Sequence, residues 1–506
     1  MKSTLLVAFC AVIPCCALAV GCVSTPTTTT TTAPAPVAAP RTDLEGARLC
    51  RIIADVDDAA ARSGLGALRQ RFEATASSDR HAAFGAMLSV SKIEDRFRAF
   101  HDDGSRNPSS AAGPLGECLV YAEWKMANES TAPCTKASKT LGSESSVVDV
   151  ARVKLLARTG DAAAALAVAD AALLKAPSCE ALVVARAIAV AAGGDVEAAK
   201  VGWAKAQERV PNCFICALER AKLLETTEGR AAAAGEYERA LKLAPDHADT
   251  LRRFAASVSG VDDVRALAAY SAAVDAGAKD FATLTAASRL AARLATTPDQ
   301  LDRALVFAKR AADAGRTDPD ARRLVVDLAM KKGDHAGAET AARSLLDLVP
   351  DDVVGHVALA RAALKAERLE DAVVHFDLAQ VELSAGRTAG LDAGTVAAVR
   401  AERQGLLAQL MVDEATTPKG SASSVANMTQ RGLQKLWKER LKKKVVSTGG
   451  TLTVVVETDA SGAVVDVLVK DGEVKDPALR AATVAWLRRA NISGGARRYT
   501  LDLSLL

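Results

Sequence analysis

Four stretches of eighteen residues share one signature: GDAAAALAVADAALLKAP at 160–177, GDVEAAKVGWAKAQERVP at 194–211, EGRAAAAGEYERALKLAP at 228–245 and GDHAGAETAARSLLDLVP at 333–350. The first three follow at a step of thirty-four residues, since 211 − 177 and 245 − 211 are both 34. In register, the first holds Gly160, Ala165, Ala169, Ala172 and Pro177, and the second Gly194, Ala199, Trp203, Ala206 and Pro211. The third holds Ala233, Tyr237, Ala240 and Pro245, and the fourth Gly333, Ala338, Ala342, Leu345 and Pro350. Weaker copies surround Ala266, Tyr270 and Ala273, then Ala304, Ala308 and Ala311; a last one shows Ala372, Phe376 and Ala379. This spacing predicts pairs of amphipathic helices. The glycine marks the turn within a pair, the alanines permit close approach, the larger residue fills the gap, and the proline ends the second helix. One pair cannot cover its own apolar face, so neighbouring pairs must stack.

Over residues 146–412 the pattern resembles the tetratricopeptide repeat family. The resemblance implies a mainly α solenoid of helical hairpins whose grooves bind helices or peptides of partner proteins. Residues 387–413 read as a capping helical segment. Residues 44–145 are helical by pattern but lack clean copies; Leu115, Gly116 and Trp124, followed by 131–141, suggest a degenerate first repeat. The Gly, Ser, Asn and Pro of 102–113 read as a loop.

Hydrophobic residues make up 49% of the 506 but aromatics only 4%, so the apolar mass is Ala, Val and Leu, as closely packed helices require. The formal charge of +3 is too small to suggest nucleic acid as a partner of the whole chain. The charge is uneven, however: from Pro418 onward 15 basic residues face 8 acidic ones, a surplus of 7.

Met1 and Lys2 followed by an apolar run to Val20 read as a signal peptide, too short for a membrane span. The segment ends Leu18-Ala19-Val20-Gly21-Cys22. That ending resembles the lipobox of bacterial lipoproteins, which implies acylation of Cys22. Residues 23–43, rich in Thr, Pro and Ala, cannot bury apolar area and read as an extended tether. The expected organisation is therefore a lipoprotein signal at 1–22, a tether at 23–43, a helical region at 44–145, the solenoid at 146–413, a linker at 414–424 and a terminal domain at 425–506. The expected location is the cell envelope, on the outer membrane facing the periplasm.

In the terminal domain Val425, Met428, Leu433, Leu436, Trp437 and Leu441 share a helix face, with a basic run from Lys435 to Lys444 off it or at its end. Leu452, Val454 and Val456 alternate, a turn follows at Asp459 to Gly462, and Val465, Val467 and Val469 continue as a hairpin. Asp476-Pro477 starts a helix through Leu479, Thr483, Trp486, Leu487 and Ala490, and Tyr499, Leu501, Leu503 and Leu505 close the chain as a strand. This order resembles the TonB-like domains, in particular the gliding-motility AgmX/PglI-type C-terminal domain, and implies a contact made by strand addition to a sheet edge. The cysteines common in those relatives are missing here.

No local arrangement for catalysis stands out, and no cofactor, metal or small-molecule substrate is expected: there is no phosphate loop, no nucleophile elbow and no zinc-binding helix motif. The six histidines are scattered; His375, beside Phe376, reads as a helix-surface residue or a groove residue. Asp262-Asp263 and Asp351-Asp352 sit at helix starts, where they complement the dipole. The basic helix reads as a solvated face or as a docking patch. After Cys22 come Cys50, Cys118, Cys134, Cys179, Cys213 and Cys216, an even number in a chain that reads as exported. Structural disulfides, free buried thiols and a metal or redox site at Cys213-Phe-Ile-Cys216 remain open. Bridges between Cys118 and Cys134, across a hairpin, and from Cys179 to Cys213 or Cys216, between repeats, are the pairings expected.

Overall fold

The computed structural model describes residues 44–62, 64–142, 145–445, 449–470 and 472–505. The signal segment, Cys22 and the tether lie outside the described residues.

Six helices come first: α1 (Leu44–Ala61), α2 (Leu65–Glu73), α3 (Arg80–Leu88), α4 (Ile93–Arg106), α5 (Ala112–Trp124) and α6 (Ala127–Leu141). Seven pairs follow. They are α7 (Val147–Thr159) with α8 (Ala162–Lys175), α9 (Glu180–Ala192) with α10 (Val196–Arg209), α11 (Phe214–Thr227) with α12 (Arg230–Leu243), and α13 (Ala248–Val258) with α14 (Asp263–Asp275). Then come α15 (Phe281–Leu294) with α16 (Pro298–Ala314), α17 (Pro319–Lys332) with α18 (His335–Leu346), and α19 (Val353–Lys365) with α20 (Leu369–Ser384). A single helix, α21 (Ala393–Gln409), closes the series. In each pair the two helices pack together, and each second helix packs on the first helix of the next pair. The architecture is a mainly α solenoid of stacked helical hairpins, ended by a small α+β unit.

The alanines of the signature are the contacts that make the stacking close. Ala165, Ala169, Ala233, Ala240, Ala338, Ala342, Ala372 and Ala379 have no exposed surface, and Ala199 and Ala206 retain no more than 3%. Trp203, Tyr237 and Phe376 fill the wider gaps. Gly160 and Gly333 end their helices at φ of +93° and +80°, a left-handed conformation that costs a side-chain-bearing residue but not glycine. Pro177, Pro211, Pro245 and Pro350 stand in the turns between pairs.

Two expectations for this part change. The loop expected at 102–113 shrinks to 107–111, because α4 continues to Arg106 and α5 starts at Ala112. Packing overrides propensity there: a Cβ on Gly113 would stand 2.5 Å from the Gly104 amide nitrogen, and one on Gly116 would lie 2.1 Å from the Phe100 ring. Gly104 and Gly113, which read as loop formers, together with Gly116 are what let α4 and α5 touch.

The linker expected at 414–424 contains β1 (Lys419–Gly420), which pairs in parallel with β4 (Asn491–Ile492). The terminal unit continues with α22 (Ala422–Lys442), β2 (Gly450–Thr458), β3 (Val464–Val469), α23 (Pro477–Leu487) and β5 (Arg498–Leu505). Its main sheet is antiparallel in the order β3-β2-β5. Leu452, Val454, Val456, Leu503 and Leu505 are fully buried on one face, against Leu433 of α22 and Leu479 of α23. Val465, expected on that face, is 53% exposed: Thr458 pairs with Val464 and Glu457 with Asp466, so Val465 is the extra residue of a bulge. One continuous apolar core runs from α19 through α21 into the terminal unit, and α23 packs on α20. The terminal unit is thus seated on the last repeat.

Candidate functional site

The first helices of the pairs, α7, α9, α11, α13, α15, α17 and α19, form one row of equivalent positions. Lys154, Ile188, Lys222 and Ala256 stand on it at thirty-four-residue intervals. Nine residues after each following N-cap come Arg289, Asp327 and Arg361. α1 lies against this row, at its N-terminal end. Lys154 Nζ bonds Asp57 Oδ2 at 2.5 Å, and Cys50 is joined to Cys179, the N-cap of α9. Farther along, Asp58 Oδ1 accepts the Phe214 N–H at 2.7 Å, and Arg62 donates to the carbonyls of Leu243 (2.8 Å) and Asn212 (3.1 Å).

The helix starts explain this seat. The first helices of the last three pairs are capped by Asp280, Asp318 and Asp352, each accepting an N–H of its own first turn. Where α1 runs, the equivalent positions hold Cys179, with no capping bond, Cys213, whose sulfur accepts the Cys216 N–H, and His247. A thioether-like sulfur is a weak acceptor, so the positive end of α11 takes its carboxylate from Asp58 of α1. Burial pushes the Asp58 carboxyl above its ordinary range, opposed by Arg62 and by the two N–H groups of α11. α1 also buries Leu49, Ile53 and Val56 in an apolar core that runs from the N-terminal helices into α7, α8 and α9.

The cysteines pair as Cys50–Cys179, Cys118–Cys134 and Cys213–Cys216, with Cα separations of 5.4, 5.0 and 5.3 Å. Cys118 and Cys134 join α5 to α6, the hairpin read as a degenerate repeat. The bridge expected from Cys179 to Cys213 or Cys216 is not formed. Cys179 is claimed by α1, whose position no repeat period encodes, and Cys213 and Cys216 close on each other across the first turn of α11. Cys213 and Cys216 are 5% and 0% exposed.

Several residues singled out in the sequence stay apart. His81, His101, His247 and His335 share no site, whereas His356 and His375 are partners: their Nδ1 atoms lie 3.3 Å apart with rings stacked at 5.5 Å. Burial, then the neighbouring His356, bring the His375 pKa down to about 4; burial also lowers that of His356. Sequence spacing could not reveal this pair, nineteen residues apart on different helices. Asp262 and Asp352 cap α14 and α19. On α22 the Arg440 guanidinium is held by Asp476 at 2.6 Å, while Lys435, Lys438, Lys443 and Lys444 are exposed. Among the described residues no group of three or more His, Cys, Asp or Glu side chains is placed to hold a metal ion. No helix among them is long and apolar enough to cross a membrane.

The terminal unit meets the solenoid through charge as well as apolar area. Arg480 pairs with Glu370 of α20, and Arg488 lies 3.9 Å from Asp377 of α20, a carboxylate that also takes Arg403 of α21 at 2.8 Å. Arg480 also donates to the Val469 and Lys470 carbonyls at the end of β3.

No protein-family profile matches the chain, and no curated relative does. Several solved structures are similar to part of it. YrrB, described as a TPR protein with an unusual peptide-binding site, is 19% identical, covers 35% of this chain and 90% of its own, and has a TM-score of 0.31. A tetratricopeptide repeat protein from Parabacteroides merdae is 15% identical over 51% of this chain and 98% of its own, at 0.30. PilF of Pseudomonas aeruginosa is 15% identical over 46% and 97%, at 0.28.

Proposed function

We propose that the protein is an exported, non-catalytic scaffold, held at the envelope by a lipid on Cys22, that takes helices or peptides of partner proteins on the row of first helices. The observation that carries this reading is α1: that row already holds a helix of the same chain through side-chain and backbone contacts. The anchoring half rests on the sequence alone, on the apolar segment before Cys22 and the tether behind it. Expression of the full-length chain in a Gram-negative host with a palmitate analogue, beside Cys22→Ala, tests it. Label that is lost with Cys22 supports the anchor; label absent from both leaves an exported protein without one.

A second reading makes the terminal unit the working contact, as its resemblance to TonB-like domains implies. Of the two outer strands of the sheet, β3 has end carbonyls taken by Arg480, whereas β5 offers eight residues. By the alternation of an antiparallel ladder, the N–H groups of Thr500, Asp502 and Ser504 point away from β2. A strand partner would therefore add to β5. Thr500→Pro removes one outward donor; partner binding unchanged by it would defeat this reading.

A further inference from the structure

Two neighbouring grooves between second helices are equivalent by the repeat, and only one of them is filled. Between α10 and α12 a polar network closes the groove: Arg220 Nη1 donates to Glu236 and to Gln207, both at 2.9 Å, and Gln207 Nε2 donates to Glu236 at 2.8 Å. Thirty-four residues earlier, between α8 and α10, the arginine is kept as Arg186, but Gly202 stands in the place of Glu236 and Leu173 in that of Gln207. What remains there is a recess of about 470 Å³, inside the range of small-molecule sites, roughly 300–1,000 Å³. We infer that this recess binds an amphiphilic carboxylate, a fatty-acid anion whose head takes the place of the Glu236 carboxylate against Arg186.

Charge and apolar surface both select that ligand. Of the ionic groups lining the recess, Arg186, Lys205 and Arg209 are basic and Asp170 alone is acidic, a surplus of 2. Asp170 takes Arg186 through Nε, at 2.6 Å, so the Nη1 edge that Glu236 and Gln207 occupy on Arg220 meets no side-chain acceptor from Gly202 or Leu173. Arg209 is held by the Pro177 carbonyl, and the exposed Lys205 forms no hydrogen bond or ion pair among the described residues. A guanidinium and an ammonium in one recess suit a carboxylate, which accepts from both. Leu173, Val183 and Ala187 supply the apolar lining, and Leu174 is 87% exposed at the rim, apolar area that an aliphatic chain would remove from water. Gly202 adds no side chain, which leaves room for that chain against α10. The lining comes mostly from the second helices α8 and α10, whereas α1 sits on the first ones.

The full chain with Cys22→Ala, so that no lipid on Cys22 competes, is titrated by calorimetry with decanoate below its micelle concentration, and in parallel with acetate and decyltrimethylammonium. The expected result is one decanoate per chain, both controls weaker by about tenfold or more, and a loss of about tenfold or more in each of two variants. One combines Arg186→Gln with Lys205→Gln; the other, Gly202→Glu, installs the carboxylate that the next pair carries. A Cβ on Gly202 would lie 3.3 Å from the Val190 side chain, so circular dichroism checks the folding of that variant, and the first, which changes no buried residue, stands independently of it. Decanoate bound unchanged by both variants would place it elsewhere and overturn the site. Decyltrimethylammonium bound as tightly would overturn the anionic chemistry, and acetate bound as tightly would overturn the apolar half. No binding of decanoate would overturn the inference outright and leave the scaffold reading untouched.

Discussion

The Cys50–Cys179 bridge should stabilise the N-terminal half of the molecule far more than either of the other two. It closes a loop spanning 129 positions, against 16 for Cys118–Cys134 and 3 for Cys213–Cys216. With the loop-closure relation the longest loop removes about 5 kcal/mol of unfolded-chain entropy, the middle one about 3 and the shortest about 1.6. Replacing both Cys50 and Cys179 by Ala leaves α1 held by its buried Leu49, Ile53 and Val56, each contributing roughly 1.5–3 kcal/mol, together with its polar contacts. α1 should therefore remain docked in the variant, while the block from α1 to α9 unfolds at a clearly lower urea concentration. Stacked repeats need not unfold in one step, so the assay must be local. Hydrogen exchange by mass spectrometry across a urea series separates peptides of α1–α9 from those of α15–α21. The first set should lose several kcal/mol of protection and the second almost none. Uniform loss along the chain would refute the local origin of the effect, and no loss in the first set would refute the bridge as its source.

Acidification should weaken the α19–α20 region through its histidine pair. The folded pKa of His375 lies at about 4, below the unfolded value near 6.5, so between these pH values the unfolded chain binds more protons. The stability contribution is thus complete above pH 6.5 and is lost as pH falls toward 4, by at most about 3 kcal/mol; His375→Gln should flatten the thermal-melt profile over that window. Gly113→Ala should cost 2 kcal/mol or so, because the added Cβ meets Gly104 backbone at 2.5 Å with no flexible side chain to yield; a melting temperature equal to the parent's would disprove the close approach of α4 and α5. Deleting residues 425–506 should not leave a native solenoid with a free end: it uncovers apolar positions of α20 and α21, including Val399, Leu406 and Leu407, so that exchange in α19–α21 should rise sharply. Parental protection there would show that the terminal unit is merely tethered.

The solenoid was legible because its information is local and repeated. A helix pair is specified by apolar spacing, a turn glycine and a terminating proline, and each copy repeats the test, so Ala165, Ala199 and Ala338 announce the same packing contact. The strand order of the terminal unit was also readable, since period-two alternation marks strands, but a bulge at Val465 shifts the register without any local composition signal. Tertiary structure alone decided where the non-repeated segments lie. Nothing in the spacing of residues 44–62 says that Cys50 reaches Cys179 or that Asp58 caps a helix 156 positions away. Those contacts are long-range and made once, so no period encodes them. The same reason hides the His356–His375 pair and the seating of the terminal unit on α20: each depends on which faces meet, which is settled by stacking and not by the pattern of any one helix.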